Sequence, residues 1–177
     1  MREKWINYMK TLVGCKGIKF RRSIKPPDAI GKMWLFCFWD GANPAFGIAI
    51  YARWMTSSGE VKVTLITGKS RVAPMIGTST QRMELEGATL VTRVALRIVH
   101  ALKDSPPAKM MFLGDSNTIL ASRERNRGFF GEYFGNRIGE TYDNIEKIQN
   151  MVDLEEPYHS GTTCPHKTTP LTEVRDY

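Results

Sequence analysis

The sequence predicts an α/β domain built on a mixed sheet, with a three-strand antiparallel meander, a parallel strand beside it and flanking helices. Three observations lead there. Three strand-like runs follow one another with short connections over residues 33–69, which favours antiparallel sequential neighbours. A long amphipathic helical pattern follows over residues 81–102, the kind of crossover that a parallel strand needs. Then comes a short apolar run, Met110-Met111-Phe112-Leu113, as in a strand buried on both faces.

The bounds agree with one globular domain. The chain has 177 residues, 42% hydrophobic and 24% charged, enough for a substantial core. No apolar run approaches membrane-spanning length, so no membrane partner is expected. Met1-Arg2-Glu3-Lys4-Trp5 lacks the apolar core of a signal peptide. Three cysteines, Cys15, Cys37 and Cys164, lack paired spacing and read as reduced thiols in an intracellular setting. The net charge of +7 is carried by residues 1–27, with eight basic side chains and one acid, Glu3. The remainder is neutral. A basic arm suits phosphate backbones; a solvated linker is the other reading.

Residues 1–32 are assigned to this basic lead, a linker from an upstream connection or a pad on the domain, and residues 33–177 to the domain itself. Trp5, Tyr8, Met9 and Leu12 allow a short amphipathic helix within the lead, which Gly14, Gly17 and Pro26-Pro27 end. The first strand is Met33 to Trp39, and the second is Gly47 to Arg53. Ser57-Ser58-Gly59-Glu60 turns into the third, Val61 to Lys69, where Val61, Val63 and Leu65 alternate with Lys62 and Thr64. The long helix, Gln81 to Leu102, has capping-box spacing at Thr78 and Gln81 and stops at Asp104-Ser105-Pro106-Pro107. Its buried stripe is Ala88, Val91, Ala95, Ile98 and Leu102. After the fourth strand, a helix over Thr118 to Glu124 is capped by Asp115 or Ser116. Arg123, Arg125 and Arg127 form a basic turn. A last helix, from Phe130 to Val152, turns Phe134, Ile138, Ile145, Ile148 and Val152 inward. Gly131, Gly135 and Gly139 recur on it at steps of four, which points to a close backbone approach. The tail from Asp153 holds at most one short strand, near Tyr158.

Three carboxylates occupy defined places in this order. Asp40 ends the first strand, in Phe38-Trp39-Asp40-Gly41-Ala42. Glu84 continues the buried stripe of the long helix back by one turn. Asp115 follows the fourth strand, in Leu113-Gly114-Asp115. Each has an ordinary explanation as well: a turn-forming Asp before Gly, a first-turn Glu favoured by the helix dipole and a helix cap. Glu86, about 200° round the helix from Glu84, is expected to point away. A right-handed crossover sets the first and fourth strands parallel, bringing Asp40 and Asp115 to the same sheet end, where open sheets bind ligands. Acids converging there repel unless cations lie between them. Oxygen donors select Mg²⁺ or Mn²⁺, and two such ions can clamp an in-line displacement at phosphorus.

Several stretches resemble the ribonuclease H domain of BEL/Pao-type LTR retrotransposon polyproteins. They are Phe36-Cys37-Phe38-Trp39-Asp40-Gly41-Ala42 with Phe46-Gly47; Gly68-Lys69-Ser70-Arg71-Val72-Ala73-Pro74; Arg82-Met83-Glu84-Leu85-Glu86-Gly87-Ala88; Gly114-Asp115-Ser116; and Tyr133-Phe134-Gly135-Asn136-Arg137-Ile138. The similarity covers roughly residues 33–170. The resemblance implies a ribonuclease H-like mixed five-stranded sheet, in a retroelement polyprotein with a reverse transcriptase domain upstream, within the cytoplasm or a virus-like particle. It implies a metal-dependent endonuclease that hydrolyses the RNA strand of an RNA–DNA hybrid, with two Mg²⁺ or Mn²⁺ ions on Asp40, Glu84 and Asp115. Gly41, Ala42, Ser116 and Asn117 would face the minor groove, where the 2′-OH marks RNA. Arg123, Arg125, Arg127 and the basic lead would contact phosphates.

The chain departs from the family pattern at its end. A fourth acid is expected after an asparagine–proline pair, but the sequence reads Cys164-Pro165-His166-Lys167. His166 is the nearest residue able to bind metal, as catalytic and metal-ligating residue in the acid's place; a surface position is the other reading. Imidazole is softer than carboxylate and would shift preference toward Mn²⁺. A zinc pair of Cys164 and His166 lacks further ligands beyond His159. The alternative function is a nucleic-acid-binding module of the same fold, weakened in catalysis by the missing acid. A structural part of a larger polymerase, active only in context, is a third.

Overall fold

The computed structural model describes residues 2–19, 23–74, 79–115 and 131–154. The described elements are α1 (Arg2–Gly14), a 3-10 turn (Cys15–Gly17), β1 (Ala29–Ala42), β2 (Ala45–Thr56), β3 (Val61–Val72), α2 (Thr80–Ala101), β4 (Lys109–Leu113), α3 (Glu132–Gln149) and β5 (Asp153–Leu154). They form one mixed sheet in the order β3-β2-β1-β4-β5. The first three strands are the expected antiparallel meander. β4 joins β1 in parallel, with Phe38 opposite Leu113. The fifth strand, also parallel, is two residues long. The expected helix at 118–124, the basic turn at Arg123, Arg125 and Arg127, and the strand near Tyr158 lie outside the described residues.

The meander runs longer than its patterns indicate. β1 begins at Ala29, because an irregularity between Ile30 and Trp34 absorbs the break in alternation. Gly31 stands there at φ 68°, a left-handed conformation that favours glycine. Gly59 does the same in the β2–β3 turn, at φ 81°. That turn is closed by Thr56, whose Oγ1 donates to the Glu60 carbonyl at 2.9 Å.

Strand alternation sorts the side chains onto two faces. Leu35 and Cys37 of β1 lie with Ile48, Ile50, Ala52 and Trp54 of β2 in the core. Met83, Val91, Val94, Ala95 and Val99 of α2 pack into the same core. Burying each of the larger aliphatic side chains among these contributes about 1.5–3 kcal/mol, so this layer fixes α2 on the sheet. Burial also pushes the Cys37 thiol up to about 12, so it is a packing residue. The opposite face carries Phe38 edge-on to Tyr51 at 5.9 Å, and Trp34 between the Arg53 and Lys109 cations at 5.2 and 4.9 Å. Among the described residues no helix covers that face.

The expected stripe on α2 is present, with Ala88, Val91 and Ala95 buried and Ile98 and Leu102 packed at its margin. Its start is one residue off the capping-box expectation. Ser79 is the N-cap, and its Oγ accepts from the Arg82 N–H at 3.3 Å. α3 is shorter than expected and packs on α2. Gly131 precedes it as N-cap, with open space around its Cβ position, so it makes no close backbone approach. The α2–α3 seam is polar. Thr89 and Thr141 hydroxyl oxygens lie 3.0 Å apart, and Asn144 donates to Thr92 at 3.4 Å. α1 buries none of its residues; Trp5, Tyr8, Met9 and Leu12 are all exposed.

Candidate active site

The site is built around three consecutive residues at the end of β1. Trp39 lies on the α2 side, Asp40 on the open side, and Gly41 on the α2 side again. Gly41 is buried. A Cβ there would stand 2.6 Å from Glu84 Cα and closer still to Glu84 N and the Met83 carbonyl carbon. The absent side chain is what lets the first turns of α2 lie against the strand. It sets Glu84 directly beside the Asp40–Gly41 backbone.

Trp39 makes the second joint. Its indole lies between two other glycines. A Cβ at Gly87, one turn along α2 from Met83, would meet Trp39 Cδ1 at 3.3 Å; one at Gly114 would meet Cδ2 at 2.7 Å and two other ring atoms more closely. So the segment after β4 is seated on Trp39. Asp40 and Asp115 each stand two residues beyond the paired Phe38 and Leu113, past the same end of two adjacent parallel strands. Asp40 and Asp115 thus follow the same end of β1 and β4, and Glu84 lies against the Asp40–Gly41 backbone. Asp40 and Asp115 are exposed, and Glu84 is half-buried.

Carboxylate oxygens are the donors that hard divalent cations take, and these three share one rim. Their side chains do not close around an ion by themselves: among the described residues no group of three or more His, Cys, Asp or Glu could hold a metal. The donor set fits Mg²⁺ or Mn²⁺ in chemistry, but its carboxylates are not gathered into a cage. His166, Ser116, Asn117, Arg123, Arg125 and Arg127 lie outside the described residues. Of the residues expected to face the minor groove, Ala42 is exposed on the open side, whereas Gly41 serves as the spacer under α2.

Glu86 turns away from Glu84 as expected, and that side of α2 faces α3. Its side chain is only 16% exposed. It accepts from Tyr133 Oη at 2.6 Å and from Arg137 Nε at 2.8 Å. Burial pushes this carboxyl up, but the hydrogen bonds from Tyr133 and Arg137 and the Arg137 and Arg93 charges outweigh it, leaving Glu86 below its ordinary range. Arg93 forks onto Glu140 in the same seam, with Nη2 to Oε2 at 2.6 Å. Arg82 lies over the Tyr133 ring at 4.9 Å. This network is what holds α3 against the half of α2 that carries Glu84.

A groove of about 690 Å³ opens beside Asp40 on the uncovered face and runs across Gly47 to Gly68 and Ser70 of β3. Sequence reasoning did not single out this groove, although the Gly68-to-Pro74 stretch is part of the resemblance. The signal was available in the small residues Ala45, Gly47, Ala49 and Gly68 at alternating positions of neighbouring strands.

A meander joined in parallel to a fourth strand, with acids beyond the shared end, is the arrangement of a ribonuclease H-like domain. Comparison with known proteins gives the family. The family model described as "Pao retrotransposon-like RNaseH-like domain" matches residues 1–116, about two-thirds of the chain, and the chain belongs to that family. The match begins at residue 1, so it takes in the basic lead that the motifs left outside. Among solved structures, the chain is similar to the N-terminal RNase H domain of Rv2228c from Mycobacterium tuberculosis, at 13% identity and a TM-score of 0.43, covering 65% of this chain and 76% of that one. It is similar to the PFV RNase H domain at 12% identity and a TM-score of 0.43, covering 80% and 86%. It is also similar to the prototype foamy virus protease–reverse transcriptase at 14% identity and a TM-score of 0.46, covering 89% of this chain and 21% of that one. No curated protein sequence matches the chain. Among the described residues no helix is long and apolar enough to cross a membrane.

Proposed function

We propose that this domain is the ribonuclease H part of a retroelement reverse transcriptase and cuts the RNA strand of RNA–DNA hybrids. The observation that carries the reading is the seating of Asp40, Glu84 and Asp115 at one sheet end by the Gly41 and Trp39 contacts. Family membership supports it. Asp40, Glu84 and Asp115, with His166 as the fourth ligand, would hold two Mg²⁺ or Mn²⁺ ions. Bound there, such ions would lower the pKa of an attacking water and stabilise the leaving oxygen. The chain's own contribution is orientation: exposed Asp40 and Asp115 present oxygens to substrate, and the α2–sheet contact holds Glu84 in register with them. Ala42, Ser116 and Asn117 would face the minor groove. Arg123, Arg125, Arg127 and the basic lead would neutralise phosphates. The lead would connect to a reverse transcriptase domain upstream in the same polyprotein, acting inside the cell.

A second reading has a specific observation in its favour. Among the described residues the acids form no gathered metal cage, and His166-Lys167, not an Asp, comes directly after Cys164-Pro165. On that reading the domain binds hybrid without cutting it. One assay separates the two: incubation of a labelled RNA–DNA hybrid with the protein in Mg²⁺ and in Mn²⁺, beside Asp40→Asn. RNA-strand cleavage that vanishes in the variant supports the nuclease, and a strong Mn²⁺ preference supports His166 as ligand. Hybrid bound but uncut in both metals supports the binding module.

A further inference from the structure

Two apolar faces are left uncovered among the described residues. The first belongs to α1. At about 100° per residue, Tyr8, Leu12, Trp5, Met9, Val13 and Ile6 fill a sector about 160° wide, with Arg2 the one charge inside it. Glu3, Lys4, Asn7, Lys10 and Thr11 fill the rest of the helix. All six apolar side chains are exposed, Trp5 by 63% and Val13 by 60%. A sector of this width is what a helix turns toward a core. A helix of 13 residues is also marginal in water unless it packs on something.

The second is the open face of the sheet. Strand pairing puts Trp34, Arg53 and Val63 in one row of that face, and Phe36, Tyr51 and Leu65 in the next. Phe38 and Leu113 stand together in the row after. Val63 and Leu65, on the edge strand β3, are each more than half exposed. A sheet face that meets water is normally polar. These rows are apolar apart from Arg53 and Lys109, and both cations already lie on the Trp34 ring. The face has the composition of one packed under a further layer.

We propose that the open face is a docking surface for an amphipathic helix, and that its occupant is α1 of the same chain. Three observations select α1. The family match starts at residue 1, so α1 belongs with this sheet. The reach suffices. Lys25 is held over the Trp54 ring at 5.6 Å, one residue along β2 from Arg53. The eight residues from there back to Gly17 span up to about 26 Å, enough to pass round the end of the sheet. The dimensions match as well. A helix of 13 residues is about 20 Å long, and the six-residue climb along β1 from Trp34 to Asp40 is about 20 Å. So short a tether holds α1 near its own face at an effective concentration that a second copy does not reach in dilute solution. Docked with its C-terminal end at the Trp34 row, α1 carries Arg2 and Lys4 toward the end of the sheet where Asp40 stands. The inference concerns the fold, and it holds whether or not the domain cuts hybrid.

The test is hydrogen exchange of the full chain, read peptide by peptide with mass spectrometry. An undocked α1 would exchange its amides near the rate of an unstructured chain. Docked, residues 6–14 are expected to exchange at least about tenfold more slowly than that rate. Val63→Lys/Leu65→Lys changes only the sheet side of the contact and is expected to return them to near the unstructured rate. Trp5→Glu/Leu12→Glu, on the helix side, is expected to do the same. Unchanged exchange in β1 and α2 checks that the sheet is intact, and Val63→Lys alone is the milder variant should the double one unfold. An unprotected α1 in the unsubstituted protein overturns the proposal. Protection that survives the β3 substitutions on an intact sheet puts α1 elsewhere and overturns it too. Protection that rises with protein concentration, alongside a dimer in sedimentation, gives the face to a second copy and overturns it equally.

Discussion

Gly41 offers the sharpest test of how the site is held. In Gly41→Ala the new Cβ would face Glu84 Cα at 2.6 Å, against the 3.4 Å where ordinary contact begins. The start of α2 must retreat by about 0.8 Å, and further where Glu84 N and the Met83 carbonyl carbon stand closer. All the obstructing atoms are backbone, so no side-chain rotation relieves them. Overpacking of this kind costs about 1–3 kcal/mol, and the upper half of that range is expected here. A domain of this size melts about 2–4 °C lower per kcal/mol, so the loss is about 4–12 °C, read by circular dichroism or calorimetry. Gly47→Ala is the control, because its nearest Cβ contacts are 3.4 and 3.8 Å; it should melt with the unsubstituted protein. If Gly41→Ala also melts with the unsubstituted protein, or Gly47→Ala is equally damaged, the spacer argument fails. If the spacer argument is right, hybrid cleavage by Gly41→Ala at temperatures where it is folded should fall too, since Glu84 moves with the helix.

Other predictions concern the seam that backs the site. Thr89 donates to the Leu85 carbonyl at 2.9 Å and Thr141 to the Arg137 carbonyl at 2.8 Å. Each hydroxyl has one proton, so their mutual 3.0 Å contact competes with those bonds. Thr89→Val or Thr141→Val alone should cost about 1 kcal/mol, and the pair together less than the sum, in a denaturation double-mutant cycle; strict additivity would show that the hydroxyls are uncoupled. Glu86 sits below its ordinary value of 4.5 when folded. A depressed carboxyl stabilises the fold above its unfolded pKa and loses that contribution as pH falls through the folded one. The stability gap between the unsubstituted protein and Glu86→Gln should therefore close on acidification from about pH 6 to below about pH 4. A gap independent of pH would contradict the assigned hydrogen bonds.

The sheet was legible because local pattern and global topology agree. Alternation in Val61 to Leu65, a two-sided apolar run at Leu35 to Trp39 and one long amphipathic helix leave few ways to connect four strands. Where the pattern breaks, as at Ile30-Gly31-Lys32, the strand continues through an irregularity that alternation cannot show. What Glu86 meets was not legible, for a related reason. Helical geometry gives the angle between two side chains, but whether that side meets water depends on where α3 returns, and that is a contact across about fifty residues. The cap is a smaller case: Thr78, Ser79 and Thr80 all suit an N-cap chemically, and only the backbone selects Ser79.

The carboxylates were legible one by one, while what holds them together was not. Trp39 reads as strand core and Gly41 as turn, yet each is a joint. Trp39 fixes the segment of Asp115, and Gly41 fixes the turn of Glu84. Both joints are shape contacts, ring against glycine and backbone against glycine, and neither uses the carboxylates they position. The arrangement therefore depends on packing and not on attraction to an ion. It follows that Asp40→Asn, which keeps Trp39 and Gly41 and alters an exposed side chain, leaves the joints in place. Loss of cleavage in that variant would then report the chemistry of Asp40, whereas loss in Gly41→Ala would report the position of Glu84.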